Sequence, residues 1–166
     1  MTTALTPGLR PAGPGDAGVL YRIYASTREA ELAAVPWDTP TKEAFLRMQF
    51  TAQDTDYHAK FPSASYDLIV AGEKVLGRLY VHRGTTVWQV LDIALLPEYR
   101  SQGIGTQLLT EVLAEAGPAA GKVQIYVERF NPARHLYDRL GFHEIADHGV
   151  YLLMEWEATR TPLHNA

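Results

Sequence analysis

From Tyr66 onward the apolar residues of this chain change their spacing, and that change limits the folds open to it. Upstream they recur every three or four positions, as Val19, Leu20, Ile23, Tyr24 and Thr27 do. Downstream they alternate through YDLIVA, VLGRLYVH and VWQVLDIAL, with only GEK and RGTT between the runs. Runs of that length joined by such short turns are most economically three antiparallel neighbours in one sheet. The sheet then needs helices to cover it, and the flanking sequence supplies them.

A short first strand is expected near Leu9, and Asp16 is placed to cap a helix from Ala17. The break AAVPWDTP ends that helix, and Thr39 followed by Pro40 can open a second one running towards Gln53. Phe45, Leu46, Met48 and Phe50 surround more than one face of it, which predicts a second covered surface, either a substrate wall or a subunit contact. After Leu95, a helix with Ile104, Leu108, Leu109, Val112 and Leu113 on one side is expected to end at Gly117 and Pro118. KVQIYV then reads as a strand, and NPARHLYDRLGF as a short helix from Pro132 closed by a left-handed Gly141. Two last strands lie around His148 and Gly149. The expectation is a mixed α/β (α+β) fold: a mainly antiparallel central sheet of about seven strands with about four helices, one domain over residues 1–157, and a mobile tail over 158–166.

Composition narrows the partners. With 166 residues, 46% of them hydrophobic, the chain has material for one well-buried core. Fifteen basic against nineteen acidic residues give a net charge of −4, which offers no global attraction to nucleic acid or an anionic membrane. An anion must therefore be held by local geometry. The absence of cysteine excludes disulfides, thiolate metal ligands and thiol nucleophiles, and suits a reducing cytoplasm. MTTALTPGLRP lacks the pattern of a signal peptide, and no run approaches the apolar length of a membrane span, so the cytoplasm is the expected location. The histidines at positions 58, 82, 135, 143, 148 and 164 show no metal-ligand spacing, and no metal is expected.

The stretch RSQGIGTQLL, residues 100–109, sets two glycines where a helix should start. A glycine-bearing turn between a strand and a helix presents free N–H groups and the positive end of the helix dipole, which together favour a phosphate. Gly103 and Gly105 would let the anion approach the backbone, and Arg100 could add a charged fork. A nucleotide P-loop does not fit, because Thr106 and Gln107 stand where Lys and Ser/Thr are needed. A dinucleotide fingerprint is weak, because Leu108 occupies the third small position. A tight turn with no ligand remains the bland reading.

LDIALLPEY, the run RSQGIG matching Arg/Gln-x-x-Gly-x-Gly/Ala, and NPARHLYDRLGF together resemble the GNAT superfamily of acyl-CoA-dependent N-acetyltransferases, by motif over residues 87–143 and by element order elsewhere. The resemblance implies acetyl-CoA as acyl donor, with its pyrophosphate on Arg100, Ser101, Gln102, Gly103, Ile104, Gly105 and Thr106. It implies splayed fourth and fifth strands, the pantetheine arm bonding to the backbone of Ile93, Ala94 and Leu95 and onward to Leu96. It gives Asn131 a polar contact with the cofactor and Tyr137 a place near the thioester sulfur, as the acid for the departing thiolate. Asn131 could equally be a helix cap ahead of Pro132, and Tyr137 a packing residue.

The amine that attacks must lose a proton. Asp92, the one acid within VWQVLDIAL, shares a strand face with Trp88, Val90 and Ala94 and is the first candidate base, Glu128 the second. Asp92 could instead be paired with Arg78, Arg83 or a backbone amide. The acceptor side falls on residues 26–61, where Arg28, Glu29, Glu31, Trp37, Phe45, Met48, Gln49, Gln53, Tyr57 and His58 could enclose an amine or form a homodimer contact. These residues do not name the acceptor. Two functions follow: an N-acetyltransferase acting on an unidentified primary amine by direct attack, or a non-catalytic acyl-CoA-binding module on the same fold.

Overall fold

A computed structural model describes residues 5–159 of the chain. Among them are seven strands, β1 (Gly8–Pro11), β2 (Ser65–Ala71), β3 (Lys74–Arg83), β4 (Trp88–Leu95), β5 (Lys122–Glu128), β6 (His143–Asp147) and β7 (Tyr151–Glu157). Four α-helices accompany them: α1 (Ala17–Ala33), α2 (Thr39–Lys60), α3 (Ile104–Ala119) and α4 (Arg134–Leu140). Short 3₁₀ turns occupy Pro14–Asp16 and Pro97–Tyr99. The strands are ordered β1-β2-β3-β4-β5-β7-β6 in one sheet. Of the tail expected to be mobile, residues 160–166 lie outside the described residues.

The residues form two compact units, one running to His82 and resuming over Leu91–Gly105, the other taking Arg83–Val90 and the chain from Thr106 on. In the first, β1 and β3 flank β2 antiparallel, with a bulge in the β2–β3 ladder between Ile69 and Val70. Ile23 of α1 packs with Leu68, Ala94 and Leu96 as a buried cluster, with Val70, Val75 and Tyr99 around it. Gly77 explains how closely β3 and β4 approach: a Cβ there would lie 2.1 Å from the Ala94 carbonyl oxygen and 2.9 Å from the Leu95 Cα. Only glycine fits.

In the second unit, Trp88, Gln89 and Val90 of β4 pair in parallel with Val123, Gln124 and Ile125 of β5, a ladder three pairs long and consistent with strands that splay. β7 pairs antiparallel with β5 along the whole of both strands and with β6 on its other side. Val123, Ile125, Leu152 and Met154 are buried there.

Element ends differ from the sequence expectation in five places. Asp16 stands at the α1 N-cap position but does not cap it. Its carboxylate instead accepts the Gly13 N–H at 2.7 Å and pairs with Arg10 at 3.0 Å. The cap of α2 is Asp38, one residue before Thr39, accepting the Thr41 N–H at 2.8 Å. That helix also continues past Gln53 to Lys60, supported by the spaced pairs Asp54–His58 and Asp56–Lys60 and stopped only ahead of Pro62. α3 runs through Gly117 and Pro118, and its stop is Gly121, with φ of +83° and an N–H bonded to the Ala116 carbonyl. α4 begins at Arg134 because the chain over 131–135 first makes i to i+3 bonds, Arg134 to Asn131 and His135 to Pro132. Its end is as expected, with Gly141 left-handed at φ +96°.

Candidate active site

The loop after β4 has the backbone that an anion site requires. Ser101 and Gly103 both lie in the left-handed region, at φ +61° and +82°, and the chain then enters α3 at Ile104. The first turn of α3 that follows presents N–H donors without intrahelical partners. A Cβ at Gly103 would meet nothing within 4 Å. Glycine is thus required there by the dihedral, and the space before it is open to a bulky group. Gln102 braces the loop, its Nε2 donating to the Glu98 carbonyl at 2.8 Å, while the Thr106 carbonyl accepts the Thr110 hydroxyl at 2.6 Å within α3. Gly105 is the second residue of α3.

Arg100 sits differently from the charged fork expected of it. Its Nε donates to the Leu95 carbonyl at 2.9 Å and a terminal nitrogen approaches the Ser26 carbonyl and hydroxyl at 3.4 and 3.3 Å. Along β4, Ala94 is buried while Ile93 and Leu95 are half-buried. The Leu96 N–H donates to Leu76 of β3 at 2.8 Å, so by strand alternation the polar groups of Leu95 point away from β3.

Asp92 pairs with Arg78, one of the three partners its sequence setting left open. The Arg78 side chain is only 3% exposed, against 24% for Asp92. Around the guanidinium, Gln53 Oε1 accepts one N–H at 3.0 Å, and the faces of Tyr80 and Tyr24 lie 4.9 and 5.9 Å away. Burial works against the charge of Arg78, yet Asp92 and the neighbouring tyrosines Tyr80 and Tyr57 outweigh it and hold its pKa above the ordinary arginine value. Burial pushes the Tyr80 hydroxyl up, against the pull of Arg78. Arg83, the other basic candidate, lies over the Trp88 ring instead.

Several acceptor-side residues are tied into this network. Tyr57 donates its hydroxyl to the Leu91 carbonyl at 3.0 Å, and Gln49 accepts the Tyr24 hydroxyl at 3.1 Å. His58 stacks on Tyr66, Trp37 meets Phe45 edge-on, and Arg28 pairs with Glu31. Met48 is 63% exposed, so the outer face of α2 is not covered by this chain at that point. Arg22, Ser26, Glu29 and Lys42 rim a shallow pocket of about 440 Å³ between α1 and α2, floored by Leu32 and Leu46.

In the second unit, Asn131 Oδ1 accepts the Ala133 N–H at 2.9 Å within the turn that precedes α4, while the N-cap residue of α4 is Ala133 and carries no side-chain cap bond. Tyr137 is buried in α4 with its ring tilted against Phe142 at 5.9 Å, and its carbonyl accepts the Phe142 N–H at 3.0 Å. Among the described residues no group of three or more His, Asp or Glu could hold a metal, and no helix is long and apolar enough to cross a membrane.

Tyr24, Tyr66 and Tyr80 were not singled out from the sequence. Only the packing of α1 and α2 on β3 brings the rings of Tyr24 and Tyr80 to the Arg78 guanidinium and the Tyr24 hydroxyl to Gln49. Tyr66 gave one signal, a phenol opening a strand straight after a helix, and its hydroxyl reaches the Tyr57 and Phe61 carbonyls at that helix end.

A strand, a left-handed turn and a helix start thus follow one another at this site, within a seven-stranded mixed sheet. The model of the acetyltransferase (GNAT) domain matches residues 64–144. The PaiA N-acetyltransferase of Thermoplasma acidophilum, solved in complex with coenzyme A, superposes with a TM-score of 0.71 at 18% identity, covering 92% of this chain and 99% of that one. An acetyltransferase from Thermus thermophilus gives 0.67 at 22% identity over 92% and 97% of the two chains. A GNAT family acetyltransferase from Elizabethkingia anophelis with acetyl-CoA bound gives 0.59 at 18% identity over 91% and 97%. Over residues 64–144 the chain is thus similar to the GNAT acetyltransferase domain, and it shares the fold of these solved structures over 91–92% of its length.

Proposed function

We propose that this protein transfers an acetyl group from acetyl-CoA to a primary amine by direct attack. The observation that carries the reading is the loop over residues 100–105, where left-handed Ser101 and Gly103 lead into the first turn of α3 with open space before Gly103. Similar structures holding coenzyme A and acetyl-CoA support the donor. In this reading the backbone of Ser101, Gln102, Gly103, Ile104, Gly105 and Thr106 receives the pyrophosphate, and the stretch around Ala94 meets the pantetheine arm through Ile93 and Leu95, whose polar groups face away from β3. Asn131 contributes a polar contact through the amide nitrogen that its Ala133 bond leaves over.

The amine nitrogen bonds to the acyl carbon, the carbon–sulfur bond breaks with its electron pair going to sulfur, and Tyr137 supplies the proton the thiolate takes up. The amine gives up a proton to Asp92, directly or through water. A protonated Asp92 would leave the buried Arg78 without its counter-ion, so the proton is handed on to water and does not rest there.

Release of free thiol from acetyl-CoA over a panel of small amines, amino acids and peptide N-termini tests the reaction. Turnover with any member supports transfer. Tight coenzyme A binding with no thiol release across the panel would make the chain an acyl-CoA-binding module. Once an acceptor is found, Tyr137→Phe keeps the ring against Phe142 and removes the proton, so kcat should fall about 10²- to 10⁴-fold with the melting temperature and coenzyme A affinity little changed. A folded Tyr137→Phe variant with wild-type turnover would remove Tyr137 from the chemistry.

A further inference from the structure

Arg100 opens the loop, and its guanidinium is already in use. Nε donates to the Leu95 carbonyl at the end of β4, and a terminal nitrogen reaches Ser26 on α1. Ser26 is itself fixed, its hydroxyl donating to the Ile23 carbonyl at 2.7 Å, and Ile23 is packed in the cluster that holds Ala94 and Leu96. On its other side the strand end is fixed by β3, through the Leu96 bond to Leu76 and the close approach at Gly77. The strand end is thus held on both sides, and Arg100 ties the start of the loop to it.

We propose that Arg100 is a positioning residue: by bridging the Leu95 carbonyl and Ser26 it sets the direction of the backbone over residues 100–105, and it acts on the diphosphate through that backbone and not through its own charge. The inference rests on the coenzyme A reading above. The chemistry of the bridge gives it a sharp test. Counted along the side chain from Cα, the Nε2 donor of glutamine falls where the Nε of arginine does, whereas lysine has a methylene at that place and its charge one atom further on. Glutamine can thus restore the bond to Leu95 without any charge, and lysine keeps the charge without that bond.

The experiment compares Arg100→Gln, Arg100→Lys and Arg100→Ala in calorimetry with coenzyme A and in the KM for acetyl-CoA. Glutamine should stay within about threefold of wild type, while lysine and alanine should each lose about tenfold, with kcat nearly unchanged in all three. The reverse order, lysine retaining affinity and glutamine losing it, would show a phosphate ligand and overturn the proposal. Should the wild-type protein bind no coenzyme A, the proposed function falls, and amide hydrogen exchange in the free protein decides the positioning claim. Exchange over residues 100–105 should then be slower in wild type and Arg100→Gln than in Arg100→Lys and Arg100→Ala; equal exchange in all four would overturn it.

Discussion

Exchanging Asp92 for asparagine would hardly change the size of the side chain and would still leave Arg78 in serious difficulty. The guanidinium is almost wholly buried, and with the carboxylate gone its charge faces neutral groups, the amides of Gln53 and of the substituted side chain, and Tyr24, Tyr57 and Tyr80. Breaking such a pair from one side typically costs about 3–5 kcal/mol, whereas replacing both members by apolar residues is often neutral. Asp92→Asn should therefore lower the melting temperature markedly, and Arg78→Met combined with Asp92→Leu should recover most of it. An Asp92→Asn protein that melts like wild type would mean that the pair has no structural role, and its turnover could then be read as pure chemistry. Both members were visible in the sequence as lone charges in apolar strands. Choosing among Arg78, Arg83 and an amide was not open to it, because that choice depends on which strands are neighbours and on residues of α1 and α2 far away along the chain.

Helices and strands were legible as periods, and their ends were not. The run of i to i+4 pairs that carries α2 to Lys60 is spread over polar residues, where periodicity of apolar positions is silent. Pro118 looked like a stop, but in the last turn of α3 it forfeits one bond only, and the geometry that ends the helix belongs to Gly121. At the start of α2 the sequence pointed to Thr39, and a β-region backbone at Asp38 with its carboxylate on the Thr41 N–H puts the cap one residue earlier. Asp38→Ala should accordingly destabilise the protein in denaturant while Thr39→Ala changes little. Equal effects of the two substitutions would return the cap to Thr39.

Across the whole molecule the paired carboxylates and the enclosed phenols set opposite limits on pH. Asp16 and Asp147 are held below the ordinary 3.8, first by their hydrogen bonds to Arg10 and Arg129 and then by the N–H groups of Gly13 and Gly149. Their contribution to stability is complete above that value and disappears as pH falls through the lower folded ones. Tyr66 and Tyr80 are raised above 10.0, first by burial, so theirs is present below that value and disappears as pH rises through the folded ones. Asp147→Asn should flatten the fall of melting temperature below about pH 4 and leave the alkaline limb as it was. An unchanged acid limb would show that the Arg129 contact does not bear on folding. The seven-stranded order that carries these groups depends on a position with no side chain. A slip of one residue between β3 and β4 would bring Leu76 or Arg78 against the backbone of Ala94 and Leu95, where Gly77 has no room for even a methyl group. Gly77 thereby ties the register of β3 and β4 to an approach that only bare backbone allows, and the loop that starts a few residues after Leu95 takes its position from that alignment.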